Sequence, residues 1–223
     1  MALIELTDIK KTYLEKTGIP AEALRGINLT INTADFTAIA GPSGSGKTTL
    51  LNIIGALDKP TSGKIIFAGE DITDTPIARL ADFRLRSIGF VFQSYNLFNT
   101  LDALENVEYV MLLQGIAAAV RKKKAIELLE RVGLGEFIHK RPDKLSGGQQ
   151  QRIAVARALA ANPKVILADE PTANLDSGTA AKLIDLMREL NQQFGITFIF
   201  STHDKLVMDK ANRVLLLKDG KII

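Results

Sequence analysis

Three short stretches of this chain carry residue types whose spacing implies chemistry. Gly41-Pro42-Ser43-Gly44-Ser45-Gly46-Lys47-Thr48-Thr49 follows an apolar run, Phe36 to Ala40, and leads into another, Leu50 to Ile54. The spacing G-x-x-x-x-G-K-[ST] suits a phosphate. Glycines let the backbone wrap an anion closely and point successive N–H groups inward. A helix starting near Lys47 adds the positive end of its dipole. Lys47 brings a mobile point charge to the outer phosphates, and the Thr48 hydroxyl can ligate Mg²⁺. The second stretch is Val165-Ile166-Leu167-Ala168-Asp169-Glu170. An apolar parallel strand ending in a carboxylate delivers it to the carboxyl edge of a sheet, where α/β ligand sites lie. Asp169 can then reach Mg²⁺, and Glu170 can polarise a water for in-line attack beyond the outermost phosphate. The third stretch, Leu145-Ser146-Gly147-Gly148-Gln149, repeats the physics of the first. Ser146 caps a helix, Gly147 and Gly148 leave backbone N–H groups bare, and the helix start attracts an anion.

The elements that must position these stretches can be read from periodicity and breakers. Leu3 to Ile9 alternates as a strand; Lys10 to Tyr13 ends it, and a loop runs through Gly18-Ile19-Pro20. Leu24 to Ile31 is a second strand and Phe36 to Ala40 a third, feeding the phosphate loop. The first helix ends near Gly55, and Leu57-Asp58-Lys59-Pro60-Thr61-Ser62-Gly63 is a loop. Lys64 to Ala68 is a short strand, Thr75-Pro76 opens a helix with Thr75 as cap, and Ile88 to Phe92 is a buried strand. Between Gln93 and Lys144 the chain turns helical. Thr100 caps a helix from about Asp102 to Leu113, and a second runs from about Ala118 to Arg131 with Gly133 as its stop. Arg121-Lys122-Lys123-Lys124 reads most simply as a solvated helix face, with a phospholipid-headgroup contact as the alternative. A helix from the Ser146 segment continues to about Ala160, a strand covers Lys164 to Ala168, and Ser177 caps a helix to about Phe194. Ile196 to Ser201 is a strand ending at Thr202-His203-Asp204, and Asn212 to Ile223 is a closing hairpin turning at Asp219-Gly220.

Composition narrows the classes. A length of 223 residues, 46% hydrophobic and 24% charged, suits one globular domain. A net charge of +3 gives no support for nucleic acid as the main partner. With no Cys, disulfides, thiolate metal sites and Cys nucleophiles are excluded. The first eight residues place acidic side chains where a signal peptide needs an apolar core. No apolar run approaches the roughly 20 residues of a membrane span.

The Leu145–Gln149 string resembles the signature of the ATP-binding cassette (ABC) ATPases, and with the other motifs the resemblance covers essentially the whole chain. It implies an α/β fold of the P-loop NTPase type: a mixed, mainly parallel core sheet, an N-terminal antiparallel β-subdomain and an inserted α-helical subdomain. The single domain, 1–223, would divide into a core at about 1–92 and 150–223 and a helical part at about 93–149. The resemblance implies ATP and Mg²⁺ as ligands. Tyr13 falls where the family stacks an aromatic ring on adenine. Gln93 matches the glutamine that contacts Mg²⁺ or the attacking water and links the core to the helical part. Asp176, in Ala173-Asn174-Leu175-Asp176, matches the D-loop aspartate at the dimer interface. His203 matches the switch histidine that bonds the γ-phosphate. Two copies are expected head to tail, each ATP lying between the Lys47 loop of one and Ser146–Gln149 of the other.

Three further segments narrow the branch: Leu51 to Gly63, Phe90 to Leu97, and Ala103-Leu104-Glu105-Asn106-Val107. They are similar to the lipoprotein-releasing and macrolide-export subfamily. His139 to Lys144 carries no glutamate-containing loop of the drug-pump type. The expectation is an ATPase that drives a separate transmembrane permease in mechanical export, peripheral on the cytoplasmic face of the inner or plasma membrane. The chain stops soon after Gly220, which fits a trimmed chain or a short subunit. Two rivals remain: a ribosome- or DNA-associated ABC ATPase without a membrane partner, and a regulator signalling through a permease-like protein in cell-wall remodelling or cell division.

Overall fold

The structure, a computed structural model, describes residues 1–14 and 20–223. Two sheets and a helical layer divide the chain. The first sheet is antiparallel, in the order β2 (Pro20–Asn32), β1 (Ala2–Leu14), β4 (Ser62–Phe67), β5 (Glu70–Asp71). The second has the order β10 (Lys221–Ile222), β9 (Arg213–Lys218), β3 (Phe36–Ala40), β8 (Thr197–Thr202), β7 (Val165–Asp169), β6 (Ile88–Phe92). Its strands run parallel except β10, which pairs antiparallel with β9. This is a mixed α/β fold with an antiparallel N-terminal sheet.

The alternation of side chains along the central strands explains how the layers stack. Ile39, Leu167 and Ile199 point to one face, where they pack with Leu50, Ile53 and Ile54 of α1 (Lys47–Ile54) and with Ile4, Leu6 and Phe67 of the antiparallel sheet. Helix α1 therefore lies between the two sheets. Phe36, Ala38, Ile166, Ala168, Phe198 and Phe200 point to the other face. There they meet α5 (Gly147–Ala160) and α6 (Ser177–Phe194), and through α5 the helices α3 (Ala103–Leu113) and α4 (Ala118–Arg131). Strands buried on both faces read as the unbroken apolar runs seen in the sequence.

Several boundaries differ from the sequence expectation. Strand β1 continues past Ile9 because Lys11 and Tyr13 pair with Leu24 and Ala21 of β2, so Lys10–Tyr13 belongs to the sheet. Of the loop expected to follow, Gly18 and Ile19 lie outside the described residues, and Pro20 opens β2. Helix α2 (Ile77–Ser87) has Pro76 as its first flanking residue and no side-chain cap, so Thr75 does not cap it. Asp102, not Thr100, caps α3, and Asp176, not Ser177, caps α6. In both places a carboxylate reaches the amide three residues on, the geometry that satisfies an orphan donor. Within the basic run only Lys122 and Lys123 are exposed. Arg121 and Lys124 turn back to the carbonyls of Ile116 and Ala160. The short helix α7 (Lys205–Lys210) was not anticipated. The closing turn is as expected: Asp219 and Gly220 both have positive φ, 47° and 74°, as a two-residue hairpin turn of this hand requires. Gly133, at φ 75°, ends α4.

Candidate nucleotide site

Parallel strands β3, β6, β7 and β8 deliver their carboxyl ends to one edge, and the chemistry-bearing residues follow them there. After β3 the chain loops through Gly41 to Gly46 and enters α1. Gly46, at φ 103°, flanks the helix start in a conformation that only glycine adopts without strain. A Cβ there would also lie 2.6 Å from the Ala23 carbonyl. No side chain caps α1 and no acidic residue stands in its first turn, so its start is left to an anion. The Lys47 ammonium donates to the carbonyls of Gly41 (2.8 Å) and Pro42 (3.0 Å), folded across the loop it belongs to. Gly41 itself lies against the Leu217 carbonyl, and the Gly220 amide donates to the Ser45 carbonyl. The closing hairpin thus backs the loop from behind.

The Thr48 hydroxyl sits 3.3 and 3.5 Å from the two carboxylate oxygens of Asp169, the last residue of β7. Glu170 follows at φ 46°, a left-handed conformation costly for a residue with a long side chain. It is held there on several sides. Its amide donates to the Ser201 carbonyl, Thr202 Oγ1 donates to its Oε2 at 3.2 Å, and His203 Nδ1 lies 2.8 Å from its Oε1. Gln93 follows β6, and the Asn174 side-chain amide donates to its carbonyl. A cavity of about 620 Å³ collects Ser43, Gly44, Gly46, Lys47, Thr48 and Thr49 with Gln93, Glu170 and His203. Ser201 lines it too, and its buried hydroxyl has no partner among the described residues.

The other residues marked out in the sequence stand apart from this cavity. Gly41 and Ser45 belong to the loop but not to the lining, Ser45 being buried. Tyr13 is outside the lining, with its hydroxyl on Asp58. Ser146–Gln149 also lie outside it and open α5 with a capping box. The Ser146 amide donates to Gln149 Oε1 and the Gln149 amide to Ser146 Oγ. Asp176 caps α6, and hydrogen bonds from Thr179 hold its carboxyl below the usual range. Ser201, Thr202 and Asn174 were not singled out from sequence. Only their place after strand ends or beside the acidic pair could have marked them.

A family model described as ABC transporter matches residues 24–173. The chain belongs to the ABC transporter family. It is 46% identical over 99% of its length to the lipoprotein-releasing system ATP-binding protein LolD 1 of Rhodopseudomonas palustris, of which it covers 98%. It is 48% identical, again over 99%, to the macrolide export ATP-binding/permease protein MacB of Hyphomonas neptunium, but spans only 34% of that protein. Among solved structures, the ATP-binding cassette MJ0796 in a dimeric post-hydrolysis state bound to ADP and Pi superposes with a TM-score of 0.90 at 43% identity. The match covers 98% of this chain and 96% of that one. The chain is thus an ABC cassette whose family chemistry is ATP binding and hydrolysis. No helix among the described residues is long and apolar enough to cross a membrane.

Proposed function

We propose that two copies of this cassette close head to tail around two ATP molecules and drive a separate transmembrane permease from the cytoplasmic face of the membrane. One observation carries the reading. The open start of α1 lies in the nucleotide cavity, while the second glycine-rich start, at Ser146, lies outside the cavity of its own chain. A second copy would complete each site, and the dimeric state of the MJ0796 cassette supports that arrangement.

Within each site the Gly41–Thr49 loop and Lys47 would hold the phosphates. Mg²⁺ supplies charge neutralisation on the transferring phosphate when bound. Thr48 and Asp169 would hold it and Gln93 would stand near it. Among the described residues no three His, Cys, Asp or Glu side chains cluster to hold a metal alone. That fits Mg²⁺, which commonly takes one or two protein ligands and completes its shell with phosphates and water. Glu170 would accept the proton of the attacking water, His203 would bond the γ-phosphate, and Tyr13 would stack on adenine. Asp176 would sit at the dimer contact.

An apolar groove of about 720 Å³, lined by Leu85, Phe90, Phe92, Val110 and Leu113, lies between α2, β6 and α3, on the strand that leads into Gln93. We place the permease there, because movement of Gln93 would reach it through one strand. The three segments that resemble the lipoprotein-releasing and macrolide-export subfamily, with the overall identity to LolD 1 and MacB, support lipoprotein release, macrolide or peptide efflux, or related mechanical export. The test is Glu170→Gln. With ATP and Mg²⁺ it should accumulate as a dimer on size exclusion, with turnover down by about a hundredfold or more. Turnover at the parent rate would remove Glu170 as the base. A variant that stays monomeric with ATP bound would remove the head-to-tail reading. Co-purification of a permease from detergent-solubilised membranes would support the partner; ribosomes or DNA in its place would overturn it.

A further inference from the structure

The loop Leu57 to Thr61 is not explained by the phosphate chemistry, yet it is fastened to the end of β1 at several points. The Thr61 amide donates to the Lys10 carbonyl, and the Thr12 amide to the Thr61 hydroxyl. At the centre of this seam are three side chains. The Lys11 ammonium donates to Asp58 Oδ1 at 2.7 Å and to the Lys59 carbonyl at 2.7 Å. The Tyr13 hydroxyl donates to Asp58 Oδ2, also at 2.7 Å. The Lys11 ammonium lies 4.7 Å from the centre of the Tyr13 ring. Each of the three groups therefore touches the other two, and the Lys11 and Asp58 side chains are only 12% and 30% exposed.

Such a closed triangle is more than a surface ion pair. The two carboxylate oxygens of Asp58 are divided between an ammonium and a phenol, so the carboxylate fixes the direction of the ring as well as neutralising the lysine. Lys11 covers one region of the ring electrostatically, while Tyr13 remains 40% exposed and so keeps surface to offer a planar ligand. Burial would raise the Asp58 carboxyl, but bonds from Lys11, Tyr13 and the Lys59 amide together hold it below its usual value, keeping it ionised. Burial and the bond to Asp58 push the Tyr13 phenol up, keeping it a donor. Asp58 also follows α1 directly through amide bonds from Leu57 and Asp58 to the Asn52 carbonyl. The helix whose start opens on the nucleotide cavity is thus tied, from its other end, to the group that holds the ring.

Resting on the assignment of Tyr13 to adenine, we propose that Asp58 and Lys11 are positioning residues that hold the Tyr13 ring as a preformed stacking face. The cluster thereby sets how much the purine base, as distinct from the phosphates, contributes to nucleotide binding. A ring already locked loses less side-chain freedom when a base settles on it.

Calorimetric titration of the full chain with ATP and with inorganic tripolyphosphate, which has no base, separates the two contributions. Asp58→Ala should weaken ATP about three- to tenfold, the scale of ordering one side chain, and leave tripolyphosphate within about twofold. KM for ATP should rise with little change in kcat. Lys11→Met, which keeps the stem, should act in the same sense. In a Tyr13→Ala background Asp58→Ala should add nothing, because it acts through the ring. Equal weakening of both probes, or an undiminished Asp58 effect without Tyr13, overturns the proposal. So does Asp58→Ala binding ATP normally while Tyr13→Ala binds it poorly. If Tyr13→Ala itself binds ATP normally, the assignment of Tyr13 to the base falls, and the proposal with it.

Discussion

Helices α1 and α5 both begin on glycine-rich sequence, yet Gly46 gives α1 no side-chain cap while Ser146 and Gln149 close a box over the start of α5. The glycines serve different ends. Gly46 is needed for its backbone conformation, at φ 103°. Gly147 and Gly148 sit close under neighbouring side chains instead: a Cβ at Gly147 would lie 2.7 Å from the Tyr95 hydroxyl, and one at Gly148 would lie 2.4 Å from a Thr179 methyl, so a side chain at either would make its neighbour shift. The α1 start is surrounded by its own chain, with Lys47 8% exposed and the helix packed between two sheets. The α5 start is settled without any ligand, its box taking up the amides of Ser146 and Gln149 and leaving those of Gly147 and Gly148. A helix start with no cap needs an anion; one that caps itself can meet an anion and release it. That difference suits a site where one half holds nucleotide and the other half engages intermittently.

The largest expected effect lies at the open start. Lys47→Ala removes a charge that now bonds two carbonyls of its own loop. With charge-assisted bonds contributing about 1.5–3 kcal/mol each, ATP affinity should fall by about a hundredfold or more in calorimetry. Retention within a few-fold would mean that the uncapped amides suffice and that the lysine is a structural tie across the loop.

An intermediate effect belongs to the closed start. Gly148→Asp puts a carboxylate where the dipole favours an anion and crowds Thr179. ATP should bind the monomer within about twofold of the parent, while turnover falls by about tenfold or more. Parallel losses in ATP affinity and turnover would show that the α5 start serves the site of its own chain, and the contrast between the two starts would collapse. Gly148→Ala, which crowds without charge, separates packing from repulsion.

Strands β3, β6, β7 and β8 of the central sheet were legible because burial on both faces turns each into a largely apolar run; Phe36–Ala40 and Ile88–Phe92 match to the residue. The far half of β1 was not, because Lys10 to Tyr13 are polar and their pairing with β2 is decided at long range. Caps were misplaced by one or two residues at Thr100 and Ser177. Several neighbours there could cap, and only the folded chain shows which carboxylate reaches the third amide. The same divide runs through the site. Gly41–Thr49, Asp169-Glu170 and Ser146–Gln149 are contiguous and could be read. The ties that hold them are not contiguous: Thr202 to Glu170, Asn174 to Gln93, and Asp58 to both Lys11 and Tyr13. β5, of two residues, and α7, of six, are too short for any period to show.

The smallest effect gives the sharpest control, because the chain contains a second capping box. Asp102 and Glu105 close over α3 as Ser146 and Gln149 close over α5. Removing either cap leaves an orphan amide and should cost about 1 kcal/mol, a fall of roughly 2–4 °C in Tm for a chain of this size. If a cap is only a cap, Asp102→Ala and Ser146→Ala should lower Tm alike and leave ATP turnover, measured well below either Tm, at the parent rate. The proposed role of the α5 start makes them differ. Ser146→Ala should lower turnover several-fold beyond what its stability loss explains, while Asp102→Ala should not. Equal turnover in the two variants would mean that Ser146 holds its helix and nothing else, and would leave the glycine amides as the only part of that start available to nucleotide.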